Sequence, residues 1–166
     1  MGEDQRLRHL YIIMGPAGCG KSSIAEALSD QTGWVMIEAD AHHSEANVEK
    51  QTAGIPLTDA DRASWISSIV ETINQSVAPQ QVLACSALTP YVQNRLREEV
   101  EPTCHWFLLH VSREELNRRL SSRADHFMPA SLLDNQLQAL TVPEHVHQVN
   151  GEQSIAQICA DILSLI

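Results

Sequence analysis

The sequence predicts an α/β fold: a five-stranded parallel sheet flanked by helices. Three observations point there. A glycine-rich loop joins a short apolar run to a helical one. Four further strand-like runs follow along the chain. Amphipathic helical stretches separate the runs, as β-α-β crossovers require. The 166 residues suffice for one compact domain and are short for two. We therefore read 1–166 as a single domain, with 1–8 as a loose tail.

The strand candidates are Leu10–Met14, Trp34–Ile37, Val82–Cys85, Trp106–His110 and His145–Val149. Most are continuously apolar, as strands covered on both faces are. Gly33 sits where the first helix should stop, in the role of a C′ glycine. Thr58-Asp-Ala-Asp61 and Ser112-Arg-Glu-Glu115 each resemble a capping box at a helix start. From Asp59, the residues Ala63, Ile66, Ile69, Val70 and Ile73 recur at three- and four-residue spacing, which gives an amphipathic helix. The polar stretch 41–57, with its Gly-Ile-Pro turn, is too long for a plain βα loop and reads as a helical insert over the active site. Residues 123–129 interrupt two helical patterns and read as a lid.

Composition excludes several classes. The net charge of −10 argues against a nucleic-acid binder, which needs a basic face. No apolar run approaches the length of a membrane span. The polar, acidic N-terminus does not read as a signal peptide, and Arg6 stands where a myristoylation site wants Ser or Thr. Cys19, Cys85, Cys104 and Cys159 are scattered without C-x-x-C spacing, which fits reduced thiols in a cytoplasmic protein.

The chemistry begins at Gly15-Pro16-Ala17-Gly18-Cys19-Gly20-Lys21-Ser22, which fits G-x-x-x-x-G-K-[ST], the P-loop. Its glycines let successive N–H groups turn toward phosphate oxygens. Lys21 would reach the β- and γ-phosphates and Ser22 would ligate Mg²⁺, with Ser23 next in line. A strand before and a helix after supply the required context.

In a parallel sheet the site lies beyond the carboxyl ends of the strands. The second strand leads into Glu38-Ala-Asp40, the third into Cys85-Ser86-Ala87, the fifth into Asn150-Gly151. A carboxylate such as Asp40 would hold Mg²⁺ or accept the proton of an attacking hydroxyl; the competing reading is a helix N-cap. Arg119 and Arg123 lie four apart on one helix face and lead into the lid, as phosphoryl clamps do. The competing reading is a solvated face shared with Glu114 and Glu115. Asp30-Gln-Thr-Gly33 matches a GTPase motif but falls at a helix end, and no N-K-x-D accompanies it. His42-His43 lacks metal-ligand spacing. His145 and His147, placed on one face by strand alternation, read as packing.

Several blocks resemble the gluconate kinase (gluconokinase) family. They are Glu38-Ala-Asp-Ala-His-His43 through Lys50, Gly54-Ile-Pro-Leu57, Asp59-Ala-Asp61-Arg62-Ala-Ser-Trp65, Leu83-Ala-Cys-Ser-Ala-Leu88, and Arg119-Leu-Ser-Ser-Arg123-Ala-Asp-His126-Phe-Met128 with Leu132-Leu133 and Gln136 after it. The resemblance spans nearly the whole chain. It implies a P-loop kinase fold with a substrate-side helical insert and a lid, ATP with Mg²⁺ as donor, the 6-hydroxyl of D-gluconate as acceptor, and a homodimer. By position, Gly15 to Ser23 would hold ATP, with Arg119 and Arg123 over the phosphates. Lys21, Asp40 and Arg123 would be catalytic, and Ser22 and Asp40 would face the metal. Asp40, His43, Arg62, Ser86 and His126 would meet the sugar acid.

The chain departs from that pattern where the family carries Lys, Tyr-Arg and Glu and this sequence has Thr89, Val92-Gln93 and Thr141; Asp125 stands for a glycine. Two basic groups are thereby absent near the expected acceptor pocket, which Arg62, His43 or Arg95 would have to offset. The alternatives are a kinase for another small polyhydroxy acceptor and a catalytically weak ATP-binding homologue.

Overall fold

The computed structural model describes residues 8–122 and 130–166. A five-stranded sheet runs in the order β2-β3-β1-β4-β5, every neighbouring pair parallel. The strands are β1 (His9–Met14), β2 (Val35–Glu38), β3 (Gln80–Ala84), β4 (Thr103–His110) and β5 (His147–Asn150). The helices are α1 (Lys21–Thr32), α2 (Glu45–Thr52), α3 (Asp59–Gln75), α4 (Pro90–Glu99), α5 (Arg113–Ser121), α6 (Ala130–Ala139) and α7 (Ile155–Ser164). All five expected strands form within a few residues of their predicted bounds.

Strand alternation divides the core into two layers. Leu10, Ile12 and Met14 of β1 join Leu83, Trp106 and Leu108 beneath α3 and α4. Tyr11 and Ile13 join Val82, Phe107 and Leu109 beneath α1, α5 and α7. The stretches Leu10–Met14, Val82–Ala84 and Trp106–Leu109 of the central strands are therefore apolar at every position, which is why they read as continuous runs.

This division opens the site. β1 and β3 are neighbours, yet the helix after β1 covers one face and the helix after β3 covers the other. Their carboxyl ends part at a topological switch point, where open α/β sheets bind ligands. The two loops still touch: the Gly15 N–H donates to the Ser86 carbonyl at 3.4 Å.

The local signals are mostly realised. Gly33 takes φ 82° and its N–H donates to Ser29 O, closing α1. Thr58 and Asp61 form both halves of a capping box. Ser112 caps α5 through the Glu115 N–H, but the Glu115 carboxylate turns to Arg118 and Arg119 instead of back to the cap, so that box is half made. The insert is a 3₁₀ turn (Ala39–His42) followed by α2. Two readings are corrected. Arg8, counted with the tail, is buried and donates to the carbonyls of Ile73 at 3.1 Å and Ser76 at 2.6 Å. His145 precedes β5 with φ 60°, so it does not alternate with His147 on one strand.

Trp65 fixes the 3₁₀ turn that carries Asp40. Its ring is buried and its Nε1–H donates to the Ala39 carbonyl at 2.7 Å. Trp65→Phe removes that buried bond and leaves a void where the second ring was, at a cost of about 1–3 kcal/mol. Thermal unfolding should show a fall in Tm of roughly 2–10 °C; an unchanged Tm would mean the bond contributes nothing.

Candidate active site

The turn between β1 and α1 is shaped to hold an anion. Gly15 has φ 148°, and a Cβ there would meet Cys19 Sγ at 2.7 Å, so the loop closes on itself only with glycine. Gly20 has φ 100° and begins α1 with no side-chain cap. The contrast is informative: α2, α3, α4, α5 and α7 are each capped by a Ser or Thr hydroxyl. The N–H groups of Gly18, Gly20, Lys21, Ser22 and Ser23 have no acceptor among the described residues. Such a set of donors, at the positive end of the helix dipole, matches a phosphate chain. Lys21 is folded back, its Nζ donating to the Pro16 carbonyl at 3.2 Å. The residues present thus fit a nucleotide's phosphates.

Hard oxygen ligands lie beside this cradle, as Mg²⁺ prefers. The Ser22 hydroxyl donates to Glu38, whose other carboxylate oxygen accepts from the Asp40 N–H at 3.4 Å. The Asp40 carboxylate is exposed and has no hydrogen-bond partner among the described residues. It does not cap a helix; Ser44 caps α2. Charges converge here on Cys85, whose thiol is pushed up to about 12, chiefly by burial. Asp40 and Glu38 push it the same way and Lys21 opposes them.

Next to the cradle is a cavity of about 430 Å³, walled in part by His43, Arg62, Trp65, Ser86, Thr89 and Gln136. Three predicted acceptor residues, His43, Arg62 and Ser86, thus meet in one cavity. His43 stacks on Trp65 at 4.5 Å between ring centroids and 5° between planes. Burial holds its imidazole below the usual 6.5; Asp40 opposes this, while Arg62 and His42 add to it. His42 turns elsewhere, to the Ser68 hydroxyl at 2.7 Å. Among the described residues, the cavity wall carries one permanent cation, Arg62, which pairs with Asp59 at 3.3 Å, among neutral hydrogen-bonding groups and apolar side chains.

Other residues are placed differently from expectation. Arg119 donates to the carbonyls of Gly18 at 3.1 Å and Gly151 at 3.0 Å and pairs with Glu115. Its guanidinium is spent on bracing the P-loop backbone. Arg95 cannot offset the absent basic groups, because it is bound to Glu99, Ser67 and the Ala63 carbonyl. Arg123 and His126 lie outside the described residues, as does the lid segment 123–129.

Gln93 and Thr141, two of the departures, are in contact. The buried Gln93 amide donates to the carbonyls of Ala87 at 2.9 Å and Thr141 at 2.7 Å. Where the family pattern has Arg and Glu, this chain has a neutral pair that joins the segment after β3 to the segment after α6. Gln93 is not on the cavity wall; Thr89 is. Sequence reading had placed both beside the acceptor. It also passed over Glu38 as a partner for Ser22, although its position after β2, beside Asp40, was the available signal.

A phosphate cradle, a neighbouring oxygen-rich edge and a cavity with both polar and apolar walls at the switch point define a P-loop phosphotransferase for a small acceptor. The comparisons narrow the class. A family model described as an AAA domain matches residues 10–143. The gluconokinase of Gluconobacter oxydans is 42% identical over 147 residues, covering 86% of this chain and 82% of that protein. The crystal structure of a gluconokinase from Sinorhizobium meliloti superposes with a TM-score of 0.84 at 36% identity, covering 96% of this chain and 91% of that one. An unliganded sugar kinase from Janibacter sp. gives 0.85 at 35% identity, covering 95% and 92%. The chain belongs to the gluconokinase family.

The environment of His43 makes a test independent of turnover. Because its folded pKa is lowered, its contribution to stability is complete above about 6.5 and is lost as pH falls through the folded value. In an NMR titration its midpoint should lie below 6.5, fall further in Asp40→Asn and rise in Arg62→Gln. A midpoint above 6.5, or shifts of opposite sign, would contradict this arrangement.

Proposed function

We propose that the protein transfers the γ-phosphoryl group of ATP to the 6-hydroxyl of D-gluconate, giving 6-phospho-D-gluconate and ADP. The observation that carries this reading is the joint between the two half-sites: an uncapped P-loop bonded directly to the Ser86 segment of a cavity that brings Arg62 together with neutral hydrogen-bonding groups. Arg62 would meet the gluconate carboxylate, and the neutral donors around it the hydroxyls. The P-loop N–H groups and Lys21 would hold the phosphates. Asp40 would orient the attacking hydroxyl and take its proton. Mg²⁺, held from Ser22 with Asp40 and Glu38 nearby, would supply charge neutralisation at the phosphates. Arg119 acts in this scheme by keeping the loop in shape, and Arg123 and His126 keep their expected roles at the phosphates and the sugar acid.

The arrangement works mainly by positioning and neutralising charge. Alignment of the hydroxyl against the cradle turns a bimolecular encounter into a step within one complex. Water kept from the crevice cannot compete with gluconate for the phosphoryl group. A homodimer and a cytoplasmic location belong to the same reading by family likeness. No helix among the described residues is long and apolar enough to cross a membrane.

Release of ADP from Mg-ATP, measured against sugar acids, sugars and polyols, tests the assignment. Gluconate should stimulate it strongly and Lys21→Ala should abolish the effect. Stimulation only by another acceptor, which Thr89 in the cavity wall would favour, would replace gluconate. ATP binding with no stimulation would remove the transferase reading.

Asp40→Asn separates chemistry from binding. Turnover should fall by at least about 100-fold with ATP affinity within about threefold. Near-normal turnover would remove Asp40 from the mechanism.

A further inference from the structure

We infer that Gln136 is the residue that sets the acceptor in register with the P-loop: its carboxamide grips the donor loop with one end and the acceptor with the other. The inference rests on the cavity being the acceptor site.

The first observation is a hydrogen bond. The Ala17 N–H donates to Gln136 Oε1 at 2.8 Å, across 119 residues of sequence. Ala17 lies in the mouth of the loop, just before the N–H groups left open for phosphate. A backbone N–H can be met only by the carbonyl oxygen of a carboxamide, so this bond fixes which way the amide is turned. Nε2 is left with two protons and no acceptor among the described residues. The second observation is location: Gln136 is part of the wall of the cavity that holds His43, Arg62 and Ser86. An oxygen-rich acceptor is the partner such a donor would take.

The third observation is that α6 holds the side chain still. Leu133 is fully buried in the layer beneath α1, and Leu137 packs against the same layer. Leu140 packs against the opposite layer. The helix therefore crosses over the carboxyl edge of the sheet, spanning the crevice. Beyond it, the Thr141 N–H donates to the Leu88 carbonyl at 2.8 Å, and Gln93 holds the Thr141 carbonyl. The segment is tied to the donor loop at Gln136 and to the acceptor loop at Thr141. A side chain on that span is placed to hold a hydroxyl at a fixed distance from the γ-phosphoryl group.

The test uses two variants of the full chain, each checked for an unchanged fold by circular dichroism. Gln136→Met keeps the length and loses both polar ends. Gln136→Glu keeps an acceptor for the Ala17 N–H and loses the Nε2 donor. Gluconate is titrated by calorimetry into protein saturated with Mg²⁺ and a non-hydrolysable ATP analogue. Both variants should weaken gluconate at least about tenfold, with the analogue's own affinity in Gln136→Met within about threefold of the parent. The ratio of ADP released to phosphogluconate formed should rise in Gln136→Met, since a misplaced acceptor lets water compete. Recovery of gluconate affinity in Gln136→Glu would show a strut for the P-loop and overturn the inference, as would unchanged affinity in Gln136→Met. If the parent itself does not bind gluconate, the acceptor reading fails on its own; the same titrations with the acceptor that stimulates ADP release then decide the role of Gln136.

Discussion

A phosphate chain held by backbone N–H groups requires a helix whose first turn is left open. Everything else at this site follows from that requirement at α1. A Ser or Thr before Lys21 would satisfy one of the orphan donors internally, as Ser44, Thr58, Thr89, Ser112 and Ser154 do on other helices. Gly20 withholds that cap, and its φ of 100° aims the chain so that the donors converge. An open helix end without a ligand is a local conflict, and the fold supports it from outside. Arg119 braces the Gly18 carbonyl, the Ser86 carbonyl accepts from Gly15, and Gln136 takes the Ala17 N–H.

The acceptor side depends on the same constraint through topology. Because α1 and α4 cover opposite faces of the sheet, the ends of β1 and β3 separate, and the space between them is the site. The insert after β2 supplies the far wall. Its 3₁₀ turn is pinned by Trp65, and α2 is tied to α3 by Asn47 and by Lys50 on Asp61. The Asp61 carboxyl is held at about 2, chiefly by Lys50, while it also serves the capping box. Sequence positions far apart are thus fixed on one rim by polar ties between helices.

Much of this was legible in the sequence, for definable reasons. Strands covered on both faces carry apolar runs, so the three central strands stood out, while β2 and β5 at the sheet edges were marked more faintly. The P-loop carries its geometry in glycine and lysine, and the block from Asp59 to Trp65 carries a cap, a cation and an anchor at fixed spacing. The bonds that depend on tertiary approach were hidden. Arg119 reads as a clamp by spacing alone, and only the proximity of Gly18 and Gly151 turns it into a brace. Gln93 and Thr141 each looked like the loss of a charge. They are 48 residues apart, and their contact is visible only once α6 has crossed the sheet edge. Ser112 lost half its capping box because two arginines compete for Glu115. The lid residues Arg123 and His126 keep the standing the sequence gives them.

The central claim is that an open P-loop and the Arg62 cavity form one continuous site for phosphoryl transfer. A crystal structure with Mg²⁺, a non-hydrolysable ATP analogue and gluconate tests it most directly. The account predicts the phosphate chain on the N–H groups of Gly18 and of Gly20 to Ser23. It predicts the gluconate carboxylate at Arg62 and its terminal hydroxyl between Asp40 and the γ-phosphate. Gluconate bound outside the cavity, or reversed with its carboxylate toward the phosphates, would contradict it.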